Sequence, residues 1–369
     1  SILSYAWMVS HLALIRSETS WWMFVVTFIV LDFQGYWVHR WAHEINFFWN
    51  KHLIHHSSEE FNLPCALRQS ISSFINLFTF FLLPAALLGI PTIVVATIAP
   101  LHLFAQFWYH TRHIHRMGFL EKIIVTPSHH RVHHAINPEY MDKNYSQIFI
   151  IWDKLFGTFQ EELPEVPPVY GITRPAATWN PIKINFQHFW LMLKDAFYAR
   201  DWKDKFRIWW KPTGWRPADV AARFPVKKIE DVYHFHKYAP YSSVALKSWA
   251  VIHLILFMIL SAHFFGFIAE IGSPAIFLYG LFLFVSIYSM SELADRNPNV
   301  LFYDLARVGC GLAILWFQQD WFGLNALLPN GSIWMACYLL LSFIMTLYFR
   351  YFEPGEPASS NAHAPGIRV

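Results

Sequence analysis

The sequence predicts an all-α fold: a polytopic membrane helix bundle with a cytoplasmic, histidine-rich cap for two metal ions. Three observations predict it. Hydrophobic residues make up 55% of the 369 positions and charged residues 14%, against about 25% charged in soluble domains. Several apolar runs reach about 18 residues, close to the length needed to cross a ~30 Å hydrocarbon core. Thirteen of the twenty histidines fall between His39 and His134. The net charge of +3 is too small and too dispersed for a nucleic-acid surface. Cys65, Cys310 and Cys337 stand apart, so neither a disulfide framework nor a thiolate zinc site is indicated.

Taken in order, Ile2 to Ile15 is apolar without a basic start region, and is expected to be part of a first transmembrane helix rather than a signal peptide. Trp21 to Val38 is the next span and runs directly into His39. Ile71 to Leu88 and Thr92 to Tyr109 form a pair joined by Gly89-Ile90-Pro91, the second ending at His110. His39, His55 and His110 thereby fall at helix ends on one membrane face. Residues 111–247 contain no span. They are Pro-rich near 164–181 and basic and aromatic at 200–228, the composition of a cap lying on lipid headgroups. Four further spans are expected near 248–269, 275–290, 301–318 and 333–350. The expected division is therefore 1–110 (membrane helices with two histidine boxes), 111–247 (cap with the third box), 248–352 (C-terminal helices) and 353–369, a Pro/Ala/Ser-rich disordered tail. Lys and Arg favour the cytoplasmic side. The basic cap, Arg296 and Arg350 fall on the histidine face and the 319–332 loop, with no basic residue, falls opposite; this orientation puts the metal site and both termini in the cytoplasm.

The histidines are spaced for metal. His39 and His43 are four apart, so both imidazoles leave one face of a helix. His52, His55 and His56 follow, and His130, His133 and His134 repeat their His-x-x-His-His spacing. Neighbours in a His-His pair splay, so its two members can serve adjacent ions. Eight such nitrogens exceed what one tetrahedral zinc takes, and two metals sharing the set is the simpler account. Imidazole suits iron, zinc, copper and nickel alike, so the ligand type leaves the metal open. His11, His188, His253 and His263 read as structural residues, and His102, His113, His115 and His129 as weak ligand candidates. Asp32 shares a helical stripe with His39 and His43, where it can fix a ligand imidazole. Glu44, directly after His43, is the candidate catalytic carboxylate; ligating metal, bonding a ligand and moving protons all stay open for it. Glu59, Glu60, Asp142, Asn144 and Asp153 are candidates for supporting or substrate-side roles.

The three boxes, His-x3-His and twice His-x2-His-His, resemble those of the fatty acid hydroxylase/sterol desaturase superfamily of membrane di-iron enzymes. HHSSEEFNLPCALRQS (55–70), TPSHHRVHHAINPEYMDKNYSQIFIIWDKLFGTF (126–159), VYGITRP (169–175) and GWRP (214–217) narrow the resemblance to its alkylglycerol monooxygenase branch and bacterial relatives. It covers roughly residues 25 to 217; beyond about 240 only general hydropathy is shared. The resemblance implies two iron ions, replaceable by zinc in purified protein, and O2 as co-substrate. It also implies a membrane-lipid substrate and a tetrahydropterin or another reductant or redox partner. His110 in FWYHT matches the further histidine that the superfamily places before its last box, and His43-Glu44 matches the branch. The implied reaction is hydroxylation next to an ether oxygen, after which the product collapses to an aldehyde and a glycerol derivative, in a bacterial inner membrane. Hydroxylation or desaturation of acyl, sterol, hopanoid or aminolipid chains is the alternative. A zinc hydrolase and a non-catalytic metal- or lipid-binding protein are the competing classes. Substrate, electron donor and oligomeric state are not legible.

Overall fold

A computed structural model describes residues 2–15, 18–71 and 78–353. Among them the regular elements are helices, joined by three isolated β-bridges and no strand. The helices that matter for function are α1 (Ile2–Leu12), α2 (Trp21–Glu44), α3 (Asn46–His56), α4 (Thr92–Phe104), α5 (Pro127–His134) and α6 (Pro181–Tyr198). They are followed by α7 (Val244–Gly266), α8 (Ala275–Ala294), α9 (Val300–Gln318) and α10 (Gly331–Tyr351). Five of these, α2 and α7 to α10, are long and apolar enough to cross a membrane. The protein is an integral membrane protein. The tail expected from residue 353 lies, from 354 onward, outside the described residues, as do 72–77 of the expected 71–88 span.

The span expected over 92–109 is shorter than the sequence suggests. α4 stops at Phe104 after 13 residues, about 20 Å of helix, and residues 105–109 turn toward His110. The turn is built from polar contacts: Gln106 Nε2 donates to the His102 carbonyl at 3.1 Å and to Gln147 Oε1 at 3.3 Å.

The described chain forms two compact units. One contains residues up to 176 together with 184–237, and the other 177–183 with 238 onward. The first unit is built on α2, which packs against α3 and α4. An apolar cluster of Tyr5, Met23, Ala85, Ala86, Ile90 and Val94 fills the end distant from the histidines. Gly35 lets the 142–153 loop lie against α2, because a Cβ there would collide with the Gln147 amide. The loop is then fixed by two buried carboxylates. Asp32 accepts from the backbone N–H of Ile148 and Phe149 and from Trp152 Nε1 at 2.8–3.0 Å. Asp153 accepts from the N–H of Tyr145 and Ser146 at 2.8 and 2.9 Å.

The second unit is a bundle of four membrane helices in which α9 packs on α8 and α10, and α7 on α8. Its core holds Tyr279, Phe282, Trp321 and Leu339. Gly311 permits the close approach of α10, since a Cβ would lie 2.7 Å from Leu339. A buried ion pair, Arg307 Nε to Asp304 Oδ1 at 2.7 Å, joins Ser289 and Ser342 inside it.

Candidate metal centre

The first two histidine boxes meet because the helix breaks once, between them. α2 ends at Ile45, whose extended backbone (φ −116°, ψ 123°) starts α3 after a single residue. Asn46 holds the break. Its Nδ2 donates to the Ile208 and Trp215 carbonyls, while its Oδ1 faces His188 Nε2 and accepts from Gly214 N–H. The hairpin sets residues thirteen apart side by side: His39 Nε2 lies 2.8 Å from His52 Nε2, and His43 Nε2 lies 3.2 Å from His56 Nε2.

The third box is α5, an eight-residue helix started by a capping box between Thr126 and His129 and by Pro127. Arg131 points away from the histidines. It makes a bidentate pair with Glu162 at 2.8 and 2.6 Å and donates to the Thr111 and Ile114 carbonyls. This ties α5 to the segment that carries His110. His130 Nε2 lies 2.9 Å from His110 Nε2 and 3.0 Å from His134 Nε2.

All nine histidines expected at the site come together, in two sets. His39, His43, His52, His56 and His133 form one; His55, His110, His130 and His134 form the other; within each set one nitrogen per ring lies within 4.8 Å of every other. The adjacent pairs are divided: His55 and His56 go to different sets, as do His133 and His134. The sets touch where the His56 and His134 rings stack at 4.2 Å.

The protonation pattern fits a cation. Nδ1 of His39, His55, His110 and His133 sits 2.7–3.1 Å from the carbonyls of Tyr145, Cys65, Gln106 and Lys143. A carbonyl only accepts, so each Nδ1 carries the hydrogen and each Nε2 presents a lone pair. Burial, reinforced by neighbouring imidazoles, pushes His52, His55, His56, His130, His133 and His134 well below their usual pKa. Burial takes His110 down to about 4. His55 and His110 therefore turn Nε2 lone pairs toward each other at 3.4 Å, and the buried His133 Nε2 has no hydrogen-bond partner. Lone pairs that face one another repel unless a cation lies between them.

The other candidates stand outside the two sets. Glu44 is not in either set; its carboxylate accepts from Arg40 Nε at 2.9 Å and its side chain is 39% exposed. The reason is helical geometry: one residue beyond His43 is about 100° around the helix. Asp32 bonds His102 at 3.0 Å rather than a histidine of the sets. His129 belongs to the α5 cap, and His113 and His115 are exposed. Glu60 pairs with Arg112 and Lys237 at the surface. Asn144 bridges the His129 and Gln160 backbones. Asp142 lies 3.8 Å from His43 Nδ1 and is exposed. Tyr145 is the residue that sequence reasoning missed. Its carbonyl holds His39, its ring packs 5.3 Å from that of His43, and its buried hydroxyl has no hydrogen-bond partner.

A cavity of about 310 Å³ opens beside the sets. His43, His56, His133 and His134 line one part of it, and Trp49, Leu53, Ile136, Ile172, Leu191 and Met192 supply apolar wall.

Relatives decide what such a centre belongs to. A fatty acid hydroxylase family model matches residues 24–158, which contain all nine histidines. An alkylglycerol monooxygenase of Homo sapiens is 36% identical over 84% of this chain and 68% of its own length. One of Danio rerio is 33% identical over 89% and 71%. The chain belongs to the fatty acid hydroxylase superfamily. It is a lipid monooxygenase, an oxidoreductase, as its superfamily relatives are. The superfamily also contains an ornithine lipid hydroxylase of Rhizobium tropici, 32% identical over 42% of this chain and 46% of its own. No solved structure matches the chain. The histidine sets and the superfamily together indicate a metal-dependent enzyme that acts on lipid and draws electrons from a reductant.

Proposed function

We propose that the protein is a di-iron ether-lipid monooxygenase that hydroxylates the carbon bearing the ether oxygen of an alkylglycerol. His39, His43, His52, His56 and His133 hold one iron, and His55, His110, His130 and His134 the other. Bound iron supplies activation of O2 toward an unactivated C–H bond; zinc can displace it by the stability order. The protein's own residues set the geometry. Backbone carbonyls fix the imidazole tautomers, the Asp32 and Asp153 clamps hold Tyr145 against the sets, and the apolar wall excludes water from the chain being oxidised. The hydroxylated carbon is a hemiacetal carbon, which collapses to a fatty aldehyde and a glycerol derivative. A tetrahydropterin or another redox partner supplies the two electrons.

One observation carries the choice of lipid. The similarity to four alkylglycerol monooxygenases extends over 66–89% of the chain, whereas that to the ornithine lipid hydroxylase covers 42%. The test is aldehyde release from 1-O-hexadecylglycerol by iron-loaded protein with tetrahydrobiopterin, in air and under argon. Oxygen-dependent aldehyde is expected. Turnover that persists under argon, or oxidation confined to acyl or aminolipid chains, overturns the reading. We place the protein in a bacterial inner membrane, and the Lys/Arg distribution supports a cytoplasmic histidine face. A cysteine placed at Asn325 is then labelled from outside intact cells; labelling only after permeabilisation reverses the orientation.

A further inference from the structure

The cavity beside the histidines has a second, cationic part that the oxidation chemistry leaves unused. Arg174, Asp195, Arg216 and Lys228 line it together with Thr213. These charges are not equivalent. Arg216 is satisfied: its Nε and Nη2 take both Asp195 oxygens at 2.5 and 2.8 Å, and its Nη1 donates to the Phe224 carbonyl at 2.8 Å. Asp195 is buried and spent on that pair. Arg174 is half-buried beside them and has no ion pair or hydrogen bond among the described residues. The three side chains carry a net charge of +1, held on Arg174, and Lys228 adds a second cation. Desolvation and the Arg216 charge act against the Arg174 cation there, and the Asp195 charge, already shared with Arg216, offsets them only in part. Thr213 gives an independent sign of a polar occupant, for its hydroxyl is buried in the same cavity without a partner.

A guanidinium kept in a partly dry cavity without a carboxylate is costly unless an anion completes it. Its planar fork matches phosphate oxygens, two at a time. The apolar wall lies in the same cavity as these cations and the histidines, so one molecule with a long chain and an anionic head can occupy all three. We propose that Arg174, with Lys228 and the Thr213 hydroxyl, forms a phosphate subsite that selects lipids with a phosphorylated glycerol head over neutral alkylglycerols. The inference rests on the reading of this cavity as the lipid site of the monooxygenase. The cation therefore sets which headgroup is accepted, and the histidine sets determine where oxidation falls.

Binding separates this from turnover. Iron-loaded full-length protein in nanodiscs is titrated with 1-O-hexadecylglycerol and with 1-O-hexadecylglycerol 3-phosphate, followed by tryptophan fluorescence, with Trp49 and Trp215 in the cavity wall. The phosphate lipid is expected to bind at least about tenfold more tightly, a difference of ~1.4 kcal/mol. R174Q should abolish the preference and leave the neutral lipid within about twofold, and R174K should restore part of it. Glycerol 3-phosphate added as competitor identifies the source: displacement at concentrations near those of the lipid marks a free phosphate site, and weak displacement a lipid headgroup site. Equal affinity of the wild type for the two lipids overturns the inference, as does a preference that survives in R174Q, and the wild-type comparison decides it even if R174Q fails to fold. Oxidation of alkylglycerol without charge preference defeats this subsite alone. A charge preference without any oxidation defeats the monooxygenase reading alone.

Discussion

The two units bury polar groups in opposite ways. In the membrane bundle the buried cluster is complementary: Arg307 faces Asp304, and serine hydroxyls join them. In the histidine unit the buried cluster is uniform. Its Nε2 atoms stand 2.8–3.4 Å apart, all of them on imidazoles, and between His55 and His110 lone pair faces lone pair. A complementary cluster balances its own charge, whereas a uniform one is balanced by a guest of opposite character. Polar burial alone does not mark a functional site; mismatch among the buried groups does.

That contrast breaks first at the histidines. His134→Ala should remove a nitrogen from the set of four and lower turnover by at least about 100-fold, a barrier increase of ~2.7 kcal/mol. Iron per chain should fall below two at the same time. Full iron with full activity would mean that His134 is structural.

Asp304→Ala sharpens the other side. It leaves Arg307 charged and buried without its carboxylate, at a cost of ~3–5 kcal/mol. Thermal unfolding in detergent should shift downward while iron per folded chain stays at the wild-type value. Loss of iron without a shift in unfolding would put the bundle's cluster on the same footing as the histidines.

A third test uses pH. In metal-free protein the buried imidazoles stay neutral, while in the unfolded chain they titrate near 6.5. Between about 6.5 and the depressed native values, about 4 for His110, the unfolded chain binds more protons. Stability therefore falls as pH falls through that window. Iron-loaded protein should resist to lower pH, since protons must first displace metal. Unfolding that is flat from pH 7 to 4 in metal-free protein would contradict the burial of these rings.

Glu44→Gln should do least. It removes one exposed i,i+4 pair with Arg40, worth under about 0.5 kcal/mol, so iron content should hold and turnover stay within about twofold. A tenfold loss of product per iron would return Glu44 to the site.

The histidine boxes were legible because spacing alone places them on helix faces. His110 was legible only through the resemblance, since nothing in FWYHT distinguishes it locally from His113 or His115. Glu44 stands outside both sets because adjacency in sequence is divergence on a helix. Tyr145 was hidden for the opposite reason. It lies 106 residues from His39, and two buried carboxylates bring it there; nothing in the sequence pairs Asp32 with the Ile148 and Phe149 amides. The membrane bundle followed from hydropathy, which needs no partner to be read. The span over 92–109 did not, because His102 bonds Asp32 and Gln106 bonds Gln147, contacts that only the folded unit supplies.

The division of each His-His pair between the two sets couples the sets mechanically. One turn of α3 and one turn of α5 each serve both sets, so filling either set immobilises the backbone that supports the other. The second ion then meets a frame already ordered and binds with less entropy left to lose. Loading should be sigmoidal in metal concentration, with singly filled chains scarce at every point of the titration. A slip of α3 by one residue would put Lys51 and Ile54, or Leu53 and Ser57, at ligand places, so metal held at both sets would report the correct register.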